Sequence, residues 1–142
     1  MPVPTWRAIW NAHPGKRAYP CDRAHFTNQC GIRMSVALAG AGVNLSRFRG
    51  ARCYPGLDHG GRHILRAQEL ANWIVANPTI FGAVAKRTGV TSTDHSNTPG
   101  IVFIRDGWGA VDHIDIWSGT EMSGGDTTYF AAGKEVWFWA LR

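Results

Sequence analysis

The chain has 142 residues, of which 44% are hydrophobic, and this length is typical of a single domain that needs no metal or disulfide to hold its core. No apolar stretch is long enough to span a bilayer, and residues 1–10 lack the pattern of a signal peptide. We therefore expect one domain over residues 1–142, made in the cytoplasm and not inserted in a membrane. The net charge of +5 favours an anionic partner, such as nucleic acid, an anionic lipid surface or an anionic cell-wall polymer.

Helical patterns dominate the first 89 residues. Residues 6–10 indicate a short helix, which the Pro-Gly pair at 14–15 ends. A second helix is predicted over residues 30–38, and a third over residues 63–76, where apolar residues recur on one face and Pro78 stops the helix. A short fourth helix is predicted over residues 79–86.

Strand patterns dominate the rest of the chain. Residues 99–104 form a compact apolar run, and a turn is predicted over residues 105–109. Residues 111–117 alternate between polar and apolar side chains, and further strands are predicted over residues 126–130 and 135–141. Helices followed by an antiparallel meander indicate an α+β fold, with the N-terminal helices packed on the sheet.

Cys30 lies in the first turn of the second predicted helix. Thr27 or Asn28 can cap this helix, and apolar residues recur at four, seven and eight positions after Cys30. Free N–H groups and the helix dipole favour a thiolate, which is the nucleophilic form of cysteine. A small buried hydrophobe is the alternative interpretation of Cys30, and the local sequence favours the two about equally.

His113 supplies the second group that a cysteine nucleophile needs. The strand pleat places His113, Asp115 and Trp117 on one face and Ile114 and Ile116 on the other. If the sheet packs on the Cys30 helix, the imidazole can take the thiol proton and return it to a leaving amine. A partly buried structural histidine is the alternative, because many small proteins contain both residue types.

A third polar group should orient the imidazole, and two aspartates compete for this role. Asp115 shares a face with His113, but its Cα lies about 6 to 7 Å along the same strand. Asp126 opens the next predicted strand, and neighbouring strands are only about 5 Å apart, so cross-strand placement favours Asp126. The backbone N–H of Cys30 and a further donor would meet the oxyanion.

Three more residues are candidate substrate contacts. Trp108 and Trp117 lie close in sequence to His113 and are predicted to form groove walls, with core aromatics as the alternative. His25 lies close in sequence to Cys30 and could line its site, although a loop histidine is the simpler interpretation.

The remaining cysteines, Cys21 and Cys53, do not indicate a metal site, because the chain contains no C-x-x-C pair. A bridge between them, which would leave Cys30 free, is a further hypothesis.

Four stretches resemble one known family. They are residues 28–35 (NQCGIRMS), 100–103 (GIVF), 113–119 (HIDIWSG) and 136–139 (VWFW). Together they resemble the type VI secretion amidase effectors of family 4, and the resemblance spans residues 20–142. In that family the Cys-x-Ile-Arg-Met-Ser helix start carries the nucleophile, and the His-Ile-Asp-Leu-Trp-x-Gly strand carries the base.

The resemblance implies a papain-like fold of the NlpC type, with Cys30 as nucleophile and His113 as base. Relatives can carry two aspartates after the histidine strand; here Gly124 occupies one such place and Asp126 the other. The resemblance also implies cleavage of peptidoglycan stem peptides between D-glutamate and diaminopimelate, with no cofactor or metal. A secretion machine would deliver the chain to the periplasm of a target bacterium, and a dedicated immunity protein would bind it tightly.

Two other functions stay open. An acyltransferase on the same fold would share the thioester intermediate and differ only in the acceptor. A non-enzymatic basic module binding nucleic acid would show salt-dependent binding and would not need Cys30. The cysteine motif favours the amidase, which would bind neither nucleic acid nor membrane.

Overall fold

A computed structural model describes residues 4–16, 20–21, 28–53, 63–109 and 111–141. The helices are α1 (Trp6–Ala12), α2 (Cys30–Gly40), α3 (Ala67–Val75), α4 (Pro78–Phe81) and α5 (Tyr129–Ala132). The strands are β1 (Ala85–Arg87), β2 (Gly100–Trp108), β3 (Val111–Trp117) and β4 (Glu135–Ala140). Among these described residues, no helix is both long and apolar enough to cross a membrane.

The described strands form one antiparallel sheet in the order β1-β4-β2-β3. The expected antiparallel sheet is therefore present, but it is not a meander, because β4 returns to pair with β2 and leaves β3 at an edge. Helix α2 packs against β3 and α3 against both β2 and β3, with α1 against α2. The catalytic candidates on α2 and β3 are brought together by this packing.

The alternation of β3 divides the core as the sequence predicts. Ile114 and Ile116 join the larger apolar cluster, which the sheet shares with α2 and α3. Trp117 points to the other face, where it packs with Val102 and Phe130 in a second cluster. His113 and Asp115 share that second face, and both are buried.

Two predicted elements are wrong, and a third is shorter than predicted. Residues 126–130 are not a strand, because the Asp126 carboxylate accepts from the backbone N–H of Thr128 at 3.0 Å and so stabilises the turn that leads into α5. The helix predicted over 79–86 ends at Phe81, before Gly82 with a φ of 81°, and β1 follows. Residues 105–108 of the turn predicted over 105–109 are instead the continuation of β2, and only residue 109 lies in a turn.

Helix α3 begins at Ala67, four residues later than predicted. The preceding residues are extended, because the backbone N–H of Cys53 donates to the His63 carbonyl at 2.8 Å and that of Leu65 donates to Ala51 at 3.0 Å. An antiparallel bridge between Arg52 and Ile64 therefore precedes the helix.

Candidate active site

Cys30 is the first residue of α2, and the residue is 5% exposed. Its backbone N–H donates to Asn28 Oδ1 at 3.3 Å, so Asn28, one of the two predicted capping residues, accepts a hydrogen bond from the start of this helix. Thr27, the other, lies outside the described residues. The same N–H is the expected oxyanion donor, and it is engaged by a long hydrogen bond that a substrate oxygen can replace.

Gly31 allows the start of α2 to approach the backbone before α3. A Cβ at Gly31 would lie 3.0 Å from the Leu65 carbonyl oxygen and 3.1 Å from the Ala67 nitrogen. Both neighbours are backbone atoms, which cannot turn away as a flexible side chain can. The glycine at this position therefore has a packing reason in this chain.

His113 meets the Cys30 thiol at the edge of the sheet. Cys30 Sγ lies 3.6 Å from the carbonyl oxygen of Asp112, the residue before His113, and the thiol is close enough to the imidazole to raise the pKa of His113. His113 Nε2 lies 2.7 Å from Asp115 Oδ2, so Nδ1 is the ring nitrogen left for the sulfur. The Cys30 thiol and the His113 imidazole also line one cavity.

Asp115, not Asp126, contacts the imidazole. The Asp115 side chain is fully buried and accepts from three donors: His113 Nε2, the backbone N–H of Ile116 at 2.8 Å, and that of Gly124 at 3.0 Å to each oxygen. Asp126 is exposed, and its carboxylate accepts from Thr128. The cross-strand placement expected for Asp126 is wrong, because residue 126 lies in a turn and not on a strand.

Gly124 explains how Asp115 fits. A Cβ at Gly124 would lie 3.0 Å from His13 Cε1 and 3.4 Å from Asp115 Oδ2. A side chain at this position would therefore crowd the His13 ring and would lie in van der Waals contact with the buried carboxylate. With glycine there, the backbone N–H comes close enough to hold Asp115 instead.

The environment of His113 favours the imidazolium. Burial by itself lowers the pKa of His113, because the charged ring is poorly solvated there. The hydrogen bonds to Asp115 and Cys30 raise it, and the charge of Asp115 acts in the same direction. The result is a pKa raised to about 9, so the ring holds its proton at neutral pH.

A second histidine, His13, faces the same carboxylate and has no signal in the sequence. Its Nε2 lies 3.6 Å from Asp115 Oδ1, and its side chain is 1% exposed. Burial lowers the pKa of His13 more than Asp115 raises it, so the ring is neutral at pH 7. Its Nδ1 accepts from the backbone N–H of Gly15 at 3.0 Å, which places the ring proton on Nε2, toward Asp115.

A cavity of about 310 Å³ opens onto the thiol and the imidazole. Two basic side chains, Lys16 and Arg33, lie in its lining together with Tyr129. The complete lining is Lys16, Asn28, Gln29, Cys30, Arg33, His113, Gly124 and Tyr129. The site is therefore a small basic cavity with a nucleophile and a proton carrier in its wall.

The predicted substrate contacts fall in three different places. Trp108 is 41% exposed, and its ring centroid lies 4.7 Å from Tyr129 and 6.4 Å from His113, so it stands beside the site. Trp117 is 1% exposed, and its Nε1 donates to the His95 carbonyl at 2.9 Å. Trp117 is therefore a core aromatic and not the predicted groove wall. His25 lies outside the described residues.

A rival cysteine–histidine pair lies elsewhere. Cys21 Sγ is 3.1 Å from His63 Nδ1, but the side chain is only 1% exposed. Burial, followed by the contact with Cys53, raises the pKa of Cys21 to about 12, so its sulfur is a protonated thiol at neutral pH. The Cys30 pair, which lines a cavity, is the better candidate for nucleophilic chemistry.

The sequence matches a model of a known protein family. The model of type VI secretion system (T6SS) amidase effector protein 4, Tae4, matches residues 26–139. The chain belongs to the Tae4 family. It is thus an amidase effector of the type VI secretion system, and both Cys30 and His113 lie within the matched range.

Solved Tae4 structures resemble this Tae4 chain over almost their whole length. The Salmonella Typhimurium effector in complex with Tai4 has a TM-score of 0.77 and 18% identity, covering 98% of this chain and 99% of that one. The Enterobacter cloacae effector has a TM-score of 0.74 and 20% identity, covering both chains completely. A search of curated proteins gave no match. At these identities the likeness concerns the fold, and the predicted papain-like, NlpC-type α+β fold is confirmed.

Proposed function

We propose that this Tae4 chain is a cysteine amidase that cleaves peptidoglycan stem peptides between D-glutamate and diaminopimelate. The observation that carries the proposal is that the Cys30 thiol and the His113 imidazole line one cavity, with the imidazole held by the buried carboxylate of Asp115. Membership of an amidase effector family supports the same chemistry.

Cys30 acts as the nucleophile in this proposal. Its sulfur attacks the carbonyl carbon of the scissile amide, and the protonated imidazole of His113 gives its proton to the leaving amine. A thioester remains on Cys30, and His113 is now neutral. Water then gives a proton to His113 and attacks the thioester, which releases the new carboxylic acid group and restores the thiolate beside the imidazolium.

Asp115 acts as the positioning residue. Its hydrogen bond to Nε2 orients the ring, fixes the tautomer and stabilises the imidazolium, which leaves Nδ1 to exchange the proton with sulfur and leaving group. Ile116 and Gly124 hold the carboxylate through their backbone N–H groups, so the ring is oriented by a rigid acceptor.

The cavity supports an anionic substrate. D-glutamate in the stem peptide is linked through its γ-carboxyl, so its α-carboxylate stays free close to the scissile bond. Lys16 and Arg33 lie in the cavity lining, and their positive charge favours an anionic substrate. The exposed ring of Trp108 offers an apolar surface for the rest of an extended substrate.

We further propose that the chain acts as an antibacterial toxin in the periplasm of a target cell and binds an immunity protein. The Tae4 effectors of Salmonella Typhimurium and Enterobacter cloacae form complexes with Tai4 immunity proteins. A partner of the same kind that covers the cavity would inhibit this chain. Loss of cleavage on adding the cognate immunity protein would support this, and unchanged cleavage beside a stable complex would show that it binds elsewhere.

Digestion of purified peptidoglycan sacculi tests the proposal directly. Under reducing conditions we expect one new amide cleavage in each stem peptide, identified by mass analysis, and no cleavage by Cys30→Ala or His113→Ala. Circular dichroism of both variants controls for folding. Untouched stem peptides with intact protein would rule out the amidase, and products joined to an added amine acceptor without net hydrolysis would assign an acyltransferase.

A further inference from the structure

Three potential metal ligands lie together away from the proposed active site. Cys21 and Cys53 are buried in a small cluster with Ile32 and, at its margin, Leu65. His63 Nδ1 lies 3.1 Å from Cys21 Sγ and 3.9 Å from Cys53 Sγ. The two sulfurs and this nitrogen all lie within 4.8 Å of one another. None of the three cysteines, all of which lie within the described residues, forms a disulfide, so the bridge hypothesised between Cys21 and Cys53 is not formed.

The backbone holds these ligands in place. The N–H of Cys53 donates to the His63 carbonyl at 2.8 Å, and the N–H of His63 donates to Cys53 Sγ at 3.2 Å. Cys21 is held separately, because Gln29 Nε2 donates to its carbonyl at 3.0 Å. Two ligands thus come from one backbone pairing, and the third is fixed to the residue before the catalytic candidate Cys30.

We propose that Cys21, Cys53 and His63 bind a zinc ion or a similar thiophilic divalent cation. Tetrahedral zinc with sulfur at about 2.3 Å and nitrogen at about 2.0 Å places its donor atoms roughly 3.5 to 3.8 Å apart. The distances from His63 Nδ1 to the two sulfurs lie on either side of that range. Water or a further donor completes the fourth position.

The charge balance suits a buried site. On binding, two thiols release their protons to solvent, and two metal–sulfur bonds and one metal–nitrogen bond form. The two thiolates then neutralise the divalent ion, which reduces the free-energy cost of burying charge. The N–H of His63 also stabilises the Cys53 thiolate as an outer hydrogen bond to a metal ligand.

A disulfide is the competing fate of the two cysteines. It would join the sulfurs at about 2.05 Å and would give the imidazole no role. The structure instead places a third donor within reach of both sulfurs, and this favours coordination. The cluster packs on Ile32 of α2, so the ion would hold the start of the helix that carries Cys30 and would serve structure, not the reaction.

Cobalt titration of the metal-free, reduced full-length protein tests the site. We expect one Co²⁺ per chain with a sulfur-to-cobalt charge-transfer band, and displacement of Co²⁺ by Zn²⁺. Cys30→Ala should keep the band, because Cys30 is not a ligand, and Cys53→Ser should lose it. In the wild type with Zn²⁺, one thiol should react rapidly with a thiol reagent, and all three should react after chelation and denaturation.

The wild-type measurements keep the test valid even if Cys53→Ser fails to fold. A protein that binds no Co²⁺ while reduced would overturn the proposal, as would a band that Cys30→Ala abolishes. A mass two hydrogens below that of the reduced chain, after purification without oxidant, would assign the disulfide instead. None of these outcomes depends on amidase activity, so the metal site and the proposed function can fail independently.

Discussion

The Asp115→Asn substitution tests how the imidazole is held. Asparagine keeps the size of the side chain, and its oxygen can still accept from the backbone N–H groups of Ile116 and Gly124. Its amide NH₂ then faces His113 Nε2, where two donors oppose each other. The ring must give up its imidazolium form or turn, and in either case it no longer presents a proton to the leaving amine.

The size of the effect follows from the pKa of His113. Burial lowers this pKa, yet the partners of the ring raise it from 6.5 to about 9. The difference corresponds to roughly 3 kcal/mol in favour of the imidazolium. Because Asp115 is the largest of the raising partners, its loss should remove most of that preference. We expect kcat/KM to fall by about 100-fold or more, at roughly 1.4 kcal/mol for each factor of ten.

Cleavage of purified stem peptide, followed by mass analysis under reducing conditions, measures this loss. Asp126→Asn is the matched control: Asp126 is exposed and bound to Thr128, so this variant should keep activity within about twofold, as surface changes usually do. Melting curves confirm that both variants fold. A folded Asp115→Asn variant with wild-type kcat/KM, or an inactive Asp126→Asn variant, would refute the reasoning.

Three further predictions follow from the same geometry. The raised pKa of His113 stabilises the folded state fully below pH 6.5, and this stabilisation is lost as the pH rises through about 9. The free energy of unfolding in urea should therefore fall by up to about 3 kcal/mol over this pH range, and Asp115→Asn should lack this fall. A free energy of unfolding that does not change with pH would contradict this prediction. Gly125→Ala should lower kcat, because its Cβ would lie 2.9 Å from His113 Nε2 and 2.6 Å from the Tyr129 ring. A variant with the wild-type kcat would show that the loop moves to accommodate the methyl group. Trp108→Ala should raise KM several-fold and leave kcat nearly unchanged, since Trp108 stands beside the site without touching Asp115; a loss confined to kcat would count against a binding role.

The sequence by itself determined the elements with a clear local period. The helix that starts at Cys30 and the alternation of β3 are both present, because they depend on residues only a few positions apart. The same alternation placed His113 and Asp115 on one face. It did not reveal that their side chains form a hydrogen bond, because the Cα spacing along a strand does not fix the side-chain rotamers.

Only the tertiary structure decided which acid meets the imidazole. Asp126 was favoured because cross-strand neighbours are close, but that argument needed residue 126 to lie on a strand, and its own carboxylate stabilises a turn there. His13 reaches Asp115 from about 100 positions earlier, and no spacing in the sequence connects them.

The cluster of Cys21, Cys53 and His63 is likewise formed only by tertiary packing. Sequence spacing argued against a metal site, since the chain has no C-x-x-C pair, yet folding brings together sulfurs and a nitrogen separated by up to 42 positions. Local periodicity is a property of neighbouring residues, so a sequence can show it. A distance between remote side chains is set by how whole elements pack, and that is known only once the chain has folded.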